Sequence, residues 1–210
     1  MIKNKFCVVG IDKDIEEYLQ ENKLNYVGLI SNFKNKNYKN GKRIGNETLK
    51  SWKKIKKKYN PDVFILIDDG KQREKLVKKI FKKNVKNLIY KETYINKSVY
   101  KEILKKKGLV IQKLCVISSN VKLGDGIKIN IGSQIHHDVK VGEYSTIAPR
   151  AVILGSVKIG RNCYIGANST IKQGITIGNN AIIGAGSTVV KNVKKFEIVA
   201  GNPAKKINSQ

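Results

Sequence analysis

At 210 residues with 40% hydrophobic composition, the chain can bury the core of one ordinary domain or two small ones. No apolar run approaches the ~20 residues of a membrane span, and the opening MIKNKFCVVGIDKD reaches acidic residues too soon for a secretory signal, so a cytoplasmic location is expected. Lys+Arg 42 against Asp+Glu 16 leaves +26, yet only Arg43, Arg73, Arg150 and Arg161 are arginine; nucleic-acid readers cluster charge and lean on arginine, so the field points to small anions instead.

From residue 1 to about 108, apolar runs alternate with lysine-rich helical stretches. Phe6-Cys7-Val8-Val9 reads as a first strand, with a helix following over Asp12 to Glu21. Tyr26-Val27-Gly28-Leu29-Ile30 is a second strand and Glu47 to Lys58 a second helix, stopped by Pro61. Val63 to Ile67 is a buried-type strand, Lys71 to Lys82 a helix, and Asn87 to Tyr90 a fourth strand. Such alternation implies βαβ units on a small parallel sheet, an α/β domain over residues 1–108. Cys7, Cys115 and Cys163 are far apart and form no CxxC pair, which excludes a disulfide framework or a cysteine metal site and suits a reducing compartment.

Residues 109–210 follow a different rule. A branched aliphatic recurs every sixth residue from Ile111 through Ile117, Leu123, Ile129 and onward to Ile183 and Val189, without a slip. Four residues after each stands a small or aliphatic side chain. Neither a helix nor a hairpin has a period of six. A solenoid does, with each hexad giving a short strand and a turn and its aliphatic pointing inward. Gly124, Gly142, Gly160 and Gly178 add a period of eighteen, so a coil has three sides, and one column of turns is expected to need glycine's backbone freedom.

Residues eighteen apart are therefore stacked. The two histidines of the chain, His136 and His137, share one hexad with Asp138 and lie on the outward turn. Gly155 falls over His137 and Ser156 over Asp138. An exposed imidazole beside a carboxylate, under a glycine amide, supplies the groups for general-base catalysis with oxyanion stabilisation. Pro149, Ala167 and Ala185 form a second stacked column, whose small side chains would leave a shallow channel.

Residues 111–207 resemble the hexapeptide-repeat acyltransferases, through the sixfold repeat and the tail Val199-Ala200-Gly201-Asn202-Pro203-Ala204-Lys205. The whole chain is similar to the two-domain sugar acetyltransferases of the sialic acid O-acetyltransferase and bacillosamine-type N-acetyltransferase group, through Tyr26-Val27-Gly28, the segment GKRIGNE from Gly41 to Glu47, and the His-Asp hexad running into Val141-Gly142-Glu143-Tyr144. The resemblance implies a Rossmann-like first domain and an all-β left-handed parallel β-helix. It implies His137 as catalytic base, Asp138 as the acid that raises its basicity, and the Gly155 amide facing the thioester carbonyl. Thr146, Ala167, Ala185 and Lys205 fall at donor-contacting positions for acetyl-CoA. Gly10, Ile11, Asp12, Ser31, Asn32, Asp68 and His136 fall where a nucleotide-linked amino sugar is held. A homotrimer follows, with the donor between neighbouring β-helices.

The sequence also departs from that pattern. Thr146 stands where relatives carry a second histidine. The glycine-rich turn is reduced to Gly10-Ile11-Asp12, the acidic pair after the second strand reads Ser31-Asn32, and Asp68-Asp69-Gly70 follows the third strand. Acidic side chains oppose a phosphate-cradling turn. The expected activity is N-acetylation of a nucleotide-linked amino sugar in bacterial surface-glycan synthesis, with no metal. O-acetylation of a sugar, a non-catalytic β-helix scaffold and a general anion-binding module remain open. A zinc hydrolase needs three histidine ligands, which two adjacent histidines do not provide.

Overall fold

In the computed structural model, which describes residues 5–10, 25–31 and 43–209, the early apolar runs form a four-stranded parallel sheet. Its strands are β1 (Phe6–Val9), β2 (Tyr26–Ile30), β3 (Arg43–Gly45) and β4 (Asp62–Ile65), in the order β3-β2-β1-β4. The central β1 is buried along its length, as a strand covered on both faces must be, and this explains its unbroken apolar run. The sequence had no strand at β3, which arises within the GKRIGNE segment. Helix α1 (Leu49–Tyr59) starts at Thr48, whose hydroxyl accepts from the Ser51 amide, and ends at Asn60 in the left-handed region. Its buried Trp52 meets Phe81 edge-on at 5.0 Å. Helix α2 (Gly70–Lys75) leads into a π-helical turn over Leu76–Phe81, which buries the expected Leu76, Val77 and Ile80. The helix expected at Asp12 to Glu21 lies outside the described residues.

Two compact units result. Of the described residues, those within 1–67 and 72–86 form the first, and those within 68–71 and 87–210 the second. The periodicity change placed the division at 108; the structure places it before residue 87. Asn87 to Tyr90 is not a fourth strand of the first sheet. Strand β5 (Leu88–Ile89) pairs with Val110–Ile111, and β6 (Tyr94–Ile95) pairs with Val116–Ile117, which lays one extra turn on the solenoid. Helix α3 (Lys97–Leu104) then stands where a third strand would complete that turn, packed on Lys122–Leu123.

The solenoid proper is a parallel β-helix with three faces of two-residue strands. Face one carries Val110–Ile111, Lys128–Ile129, Thr146–Ile147, Tyr164–Ile165 and Ile182–Ile183. Face two carries Val116–Ile117, Gln134–Ile135, Val152–Ile153, Thr170–Ile171 and Thr188–Val189. Face three carries Lys122–Leu123, Lys140–Val141, Lys158–Ile159 and Thr176–Ile177. Every pairing between successive coils is eighteen residues apart. The second residue of each strand points inward and is buried, giving one continuous core that includes Cys115 and Cys163. Inward serines are satisfied by backbone: Ser133 donates to Ala148 O at 2.9 Å and Ser145 to Gly160 O at 2.7 Å.

From Leu114 to Gly186 each turn holds one residue in the left-handed region, three after the inward aliphatic, among them Asp138 (φ 61°), Ser156 (φ 60°) and Gly174 (φ 75°). The glycine column at 124, 142, 160 and 178 is not at these positions, so backbone freedom is not its reason. A Cβ on Gly142 would lie 2.5 Å from Gly160 C and 2.6 Å from Arg161 N, so the column is set by the close approach of one coil to the next. The chain closes with an antiparallel pair, Glu197–Gly201 with Ala204–Ser209, added to the end of face one. Among the described residues no helix is long and apolar enough to cross a membrane.

Candidate active site

The corner between faces two and three brings His137, Asp138 and Gly155 together, as the eighteen-residue stacking requires. Coils are locked there by Asp138 N–H to Ser119 O at 3.0 Å and Ser156 N–H to His137 O at 2.9 Å. His137 Nδ1 lies 2.8 Å from Asp138 Oδ2, with both side chains 51% exposed. In the neutral ring Nδ1–H donates to the carboxylate, which leaves Nε2 as the proton acceptor. The other carboxylate oxygen accepts from Asn120 Nδ2 at 3.3 Å. These hydrogen bonds, the His137 one first and the Asn120 one second, hold the Asp138 carboxyl below its ordinary value.

Gly155 is placed by contact. A Cβ there would stand 2.6 Å from both Cε1 and Nε2 of His137, so only glycine lets the next coil come down over the ring. Its amide N–H has no protein acceptor among the described residues, and remains available to a ligand oxygen. The corner thus offers a base, its orienting carboxylate and a free donor. His136 precedes them, half-buried, its amide donating to Ile153 O at 2.9 Å.

The remaining expected residues are distributed elsewhere. Pro149, Ala167 and Ala185 do stack, through Asn168 N–H to Pro149 O at 3.0 Å and Gly186 N–H to Ala167 O at 2.8 Å, but at the corner between faces one and two. Within one chain this column and His137 stand on opposite edges of face two. Thr146 is buried, and its hydroxyl donates to the Asp68 carbonyl at 2.7 Å, so it ties segment 68–71 to face one. Asp68 forms an ion pair with the buried Lys128 at 2.8 Å. Lys205 is exposed, opposite Ala200 in the terminal strand pair. In the first unit, Gly10 follows β1 in the left-handed region, with φ 95°. Ser31 is buried, its carbonyl accepting from Arg43 Nε at 2.8 Å. Ile11, Asp12 and Asn32 lie outside the described residues.

Asn120 and Lys128 were missed by sequence reasoning. Asn120 could have been found, because it is one coil before Asp138. Lys128 could not, since its partner Asp68 is sixty residues away and outside the repeat. Among the described residues no group of three or more His, Cys, Asp and Glu side chains is arranged to hold a metal.

Comparison with known proteins fits this geometry. Residues 120–155 match the family described as bacterial transferase hexapeptide (six repeats), and residues 156–191 match the hexapeptide repeat of succinyl-transferase. A GDP-perosamine N-acetyltransferase from Caulobacter crescentus, solved with CoA and GDP-perosamine as a histidine-to-alanine variant, superposes with TM-score 0.85. It is 20% identical, over 100% of this chain and 99% of that one. The acetyltransferase domain of PglB from Neisseria gonorrhoeae, solved with acetyl coenzyme A, gives 0.84 at 20% identity, over 97% and 99%. WeeI from Acinetobacter baumannii gives 0.73 at 25% identity, over 97% and 100%. The repeat matches cover residues 120–191, and the structural matches extend over nearly the whole chain. Residues 120–191 carry that repeat, and the chain as a whole has the fold of these acetyltransferases.

Proposed function

We propose that this chain is an acetyl-CoA-dependent acetyltransferase acting on the amine of a nucleotide-linked amino sugar, in cytoplasmic synthesis of a bacterial surface glycan. The observation that carries this reading is the His137–Asp138 couple beneath the unpartnered Gly155 amide. The similar enzyme that binds CoA and GDP-perosamine supports the substrate class. In this reading the β-helix is left-handed and the first unit is a Rossmann-like nucleotide-binding domain.

His137 Nε2 takes a proton from the acceptor amine as its nitrogen attacks the thioester carbonyl. Asp138 keeps Nδ1 protonated and offsets the charge that develops on the ring. The Gly155 N–H donates to the carbonyl oxygen as it becomes an oxyanion. The C–N bond forms, the C–S bond breaks, and the proton passes from His137 to the departing coenzyme A thiolate. Ala167, Ala185 and Lys205 take the donor from the far edge of face two, so one chain does not complete the site. A homotrimer, in which a neighbouring copy brings its small-residue column to the His137 corner, would.

General-base assistance is worth roughly 10²–10⁴ in rate. His137→Ala is expected to lower turnover by about that factor, with unchanged oligomeric state and coenzyme A binding. The check is thiol release from acetyl-CoA with a panel of nucleotide-linked amino sugars. Wild-type turnover in this variant removes His137 from its role, and acetyl ester in place of amide in the product overturns the N-acetyl assignment.

A further inference from the structure

At the corner between faces two and three, the left-handed amide of each coil donates to a carbonyl of the coil before. Asp138 N–H reaches Ser119 O at 3.0 Å, Ser156 N–H reaches His137 O at 2.9 Å and Gly174 N–H reaches Gly155 O at 3.0 Å. Asn120, φ 56°, heads this column. The residue that would supply its acceptor by the same rule is Lys101, inside α3. Its amide turns to a side chain instead, the Ser98 hydroxyl, at 3.3 Å. That hydroxyl donates to Asn96 Oδ1 at 2.9 Å. Asn96 is the cap of α3, and its own amide donates to Ile117 O at 2.9 Å. The start of α3 therefore does for Asn120 what a further coil would have done.

Asparagine is a common occupant of left-handed turns, and Asn162, Asn168 and Asn180 fill equivalent ones, so residue type alone assigns nothing. Its place does. The Asn120 side chain reaches one coil on to Asp138 Oδ1 at 3.3 Å, while Asp138 Oδ2 stands 2.8 Å from His137 Nδ1. A carboxylate only accepts, so the amide presents its NH₂ group. Both oxygens of an exposed side chain are thereby engaged, and it cannot rotate without losing a bond. Glu102, Lys106, Lys122, Lys140 and Lys158 also line this flank of the corner. Among the described residues none of them is within ion-pair distance of Asp138, so Asn120 is the group that restrains the carboxylate from the side away from the ring.

We infer that Asn120 is a positioning residue of the His137–Asp138 couple, holding the carboxylate in the orientation that keeps the proton on Nδ1 and leaves Nε2 to accept one. A functional side chain is aimed as well as the partners behind it allow, and an exposed one has the most freedom to lose. The reaction that the couple serves rests on the acetyltransferase reading. The orientation of ring and carboxylate does not, and it is measurable without substrate.

Two variants separate the side chain from the turn. Asn120→Gly keeps the turn, because glycine takes the left-handed region freely, and deletes the amide. Asn120→Asp keeps the shape but sets a like charge against Asp138. Melting temperature checks the fold, nitrogen-15 NMR of the neutral ring reads the tautomer, carbon-13 NMR follows the carboxyls, and thiol release gives kcat and KM. Both variants are expected to melt close to the wild type and to show a larger fraction of the Nε2-protonated ring. The Asp138 carboxyl titrates higher in Asn120→Gly than in the wild type, and one carboxyl of the pair in Asn120→Asp titrates above the ordinary aspartate range. Turnover falls roughly three- to tenfold in Asn120→Gly and further in Asn120→Asp, with KM for acetyl-CoA unchanged. Asn180→Gly, the same exchange at a turn between faces three and one, alters neither tautomer nor turnover.

An Asn120→Gly protein with wild-type tautomer and wild-type kcat overturns the inference and leaves Asn120 a turn former. Lost turnover with a lowered melting temperature and an unmoved tautomer overturns it too, since a purely structural role gives that result. The two readings fail separately. A tautomer that shifts in the variants of a protein transferring acetyl to no amino sugar sinks the acetyltransferase reading and leaves the positioning role. Acetyl transfer that proceeds in the wild type and in both variants alike, with the tautomer unmoved, sinks the positioning role alone.

Discussion

Asp138 occupies the left-handed position of its turn, φ 61°, where an acidic side chain is tolerated better than most. Its carboxylate, 2.8 Å from the preceding ring, has a depressed pKa because ionisation keeps the hydrogen bonds from His137 and Asn120. The sign follows from linkage. A carboxyl whose folded pKa is depressed contributes stability above its unfolded value, near 3.9, and that contribution is lost as pH falls through the lower folded value. Carbon-13 NMR should show Asp138 titrating below the ordinary aspartate range. In His137→Ala its titration should move up toward that range, stopping short because Asn120 still donates; an unmoved titration would mean that the ring does not hold the carboxylate. The couple was legible as two adjacent letters, and Gly155 as the letter eighteen further on. The reason glycine is required there was not legible, because it depends on how closely the ring lies under the next coil.

A hexad is legible because each one repeats the same physical problem: one aliphatic to bury, one turn to make, one backbone pair to satisfy. The extra coil escaped the same reading although Ile89 and Ile95 are six apart. Helix α3 replaces the next strand, so the register does not carry through to Ile111. The glycine column was legible in position but not in cause, and the two causes predict different penalties. At Gly142 an added Cβ meets the backbone of Gly160 and Arg161, which can yield only if two coils part. Gly142→Ala should therefore cost about 1–3 kcal/mol, the range of overpacking. At Gly174, φ 75°, a Cβ meets nothing within 4 Å, and equivalent turns elsewhere hold Asp138 or Asn168. Gly174→Ala should cost about 1 kcal/mol, from the left-handed backbone alone. Urea unfolding of the two variants gives the order, and a larger penalty at Gly174 would return the glycine column to a conformational explanation.

In a single chain the parts of the proposed reaction are divided by a face. His137, Asp138 and Gly155 lie at one edge of face two, Ala167 and Ala185 at the other, and the outward strand residues between them, Val116, Gln134, Val152, Thr170 and Thr188, carry no charge in a protein of net charge +26, the exposed Arg150 and Lys172 standing at the turns beside them. An uncharged strip between two half-sites suits a second copy, because burying lysines there would be costly, and apolar or hydroxyl side chains pack without that penalty. Symmetric assembly would then place the small-residue column of one copy against the base of the next. This division is testable by complementation. His137→Ala removes the base from one edge, and Ala167→Trp fills the channel at the other; each homogeneous protein should be nearly inactive. Unfolded together and refolded as mixed oligomers, they should regain activity, since some seams then pair an intact His137 with an intact Ala167 from the neighbouring copy. Size-exclusion chromatography confirms that mixing has occurred, and thiol release reads the recovery. Mixed oligomers as inactive as their parents would place base and donor channel within one chain's own reach, contrary to the separation by face two.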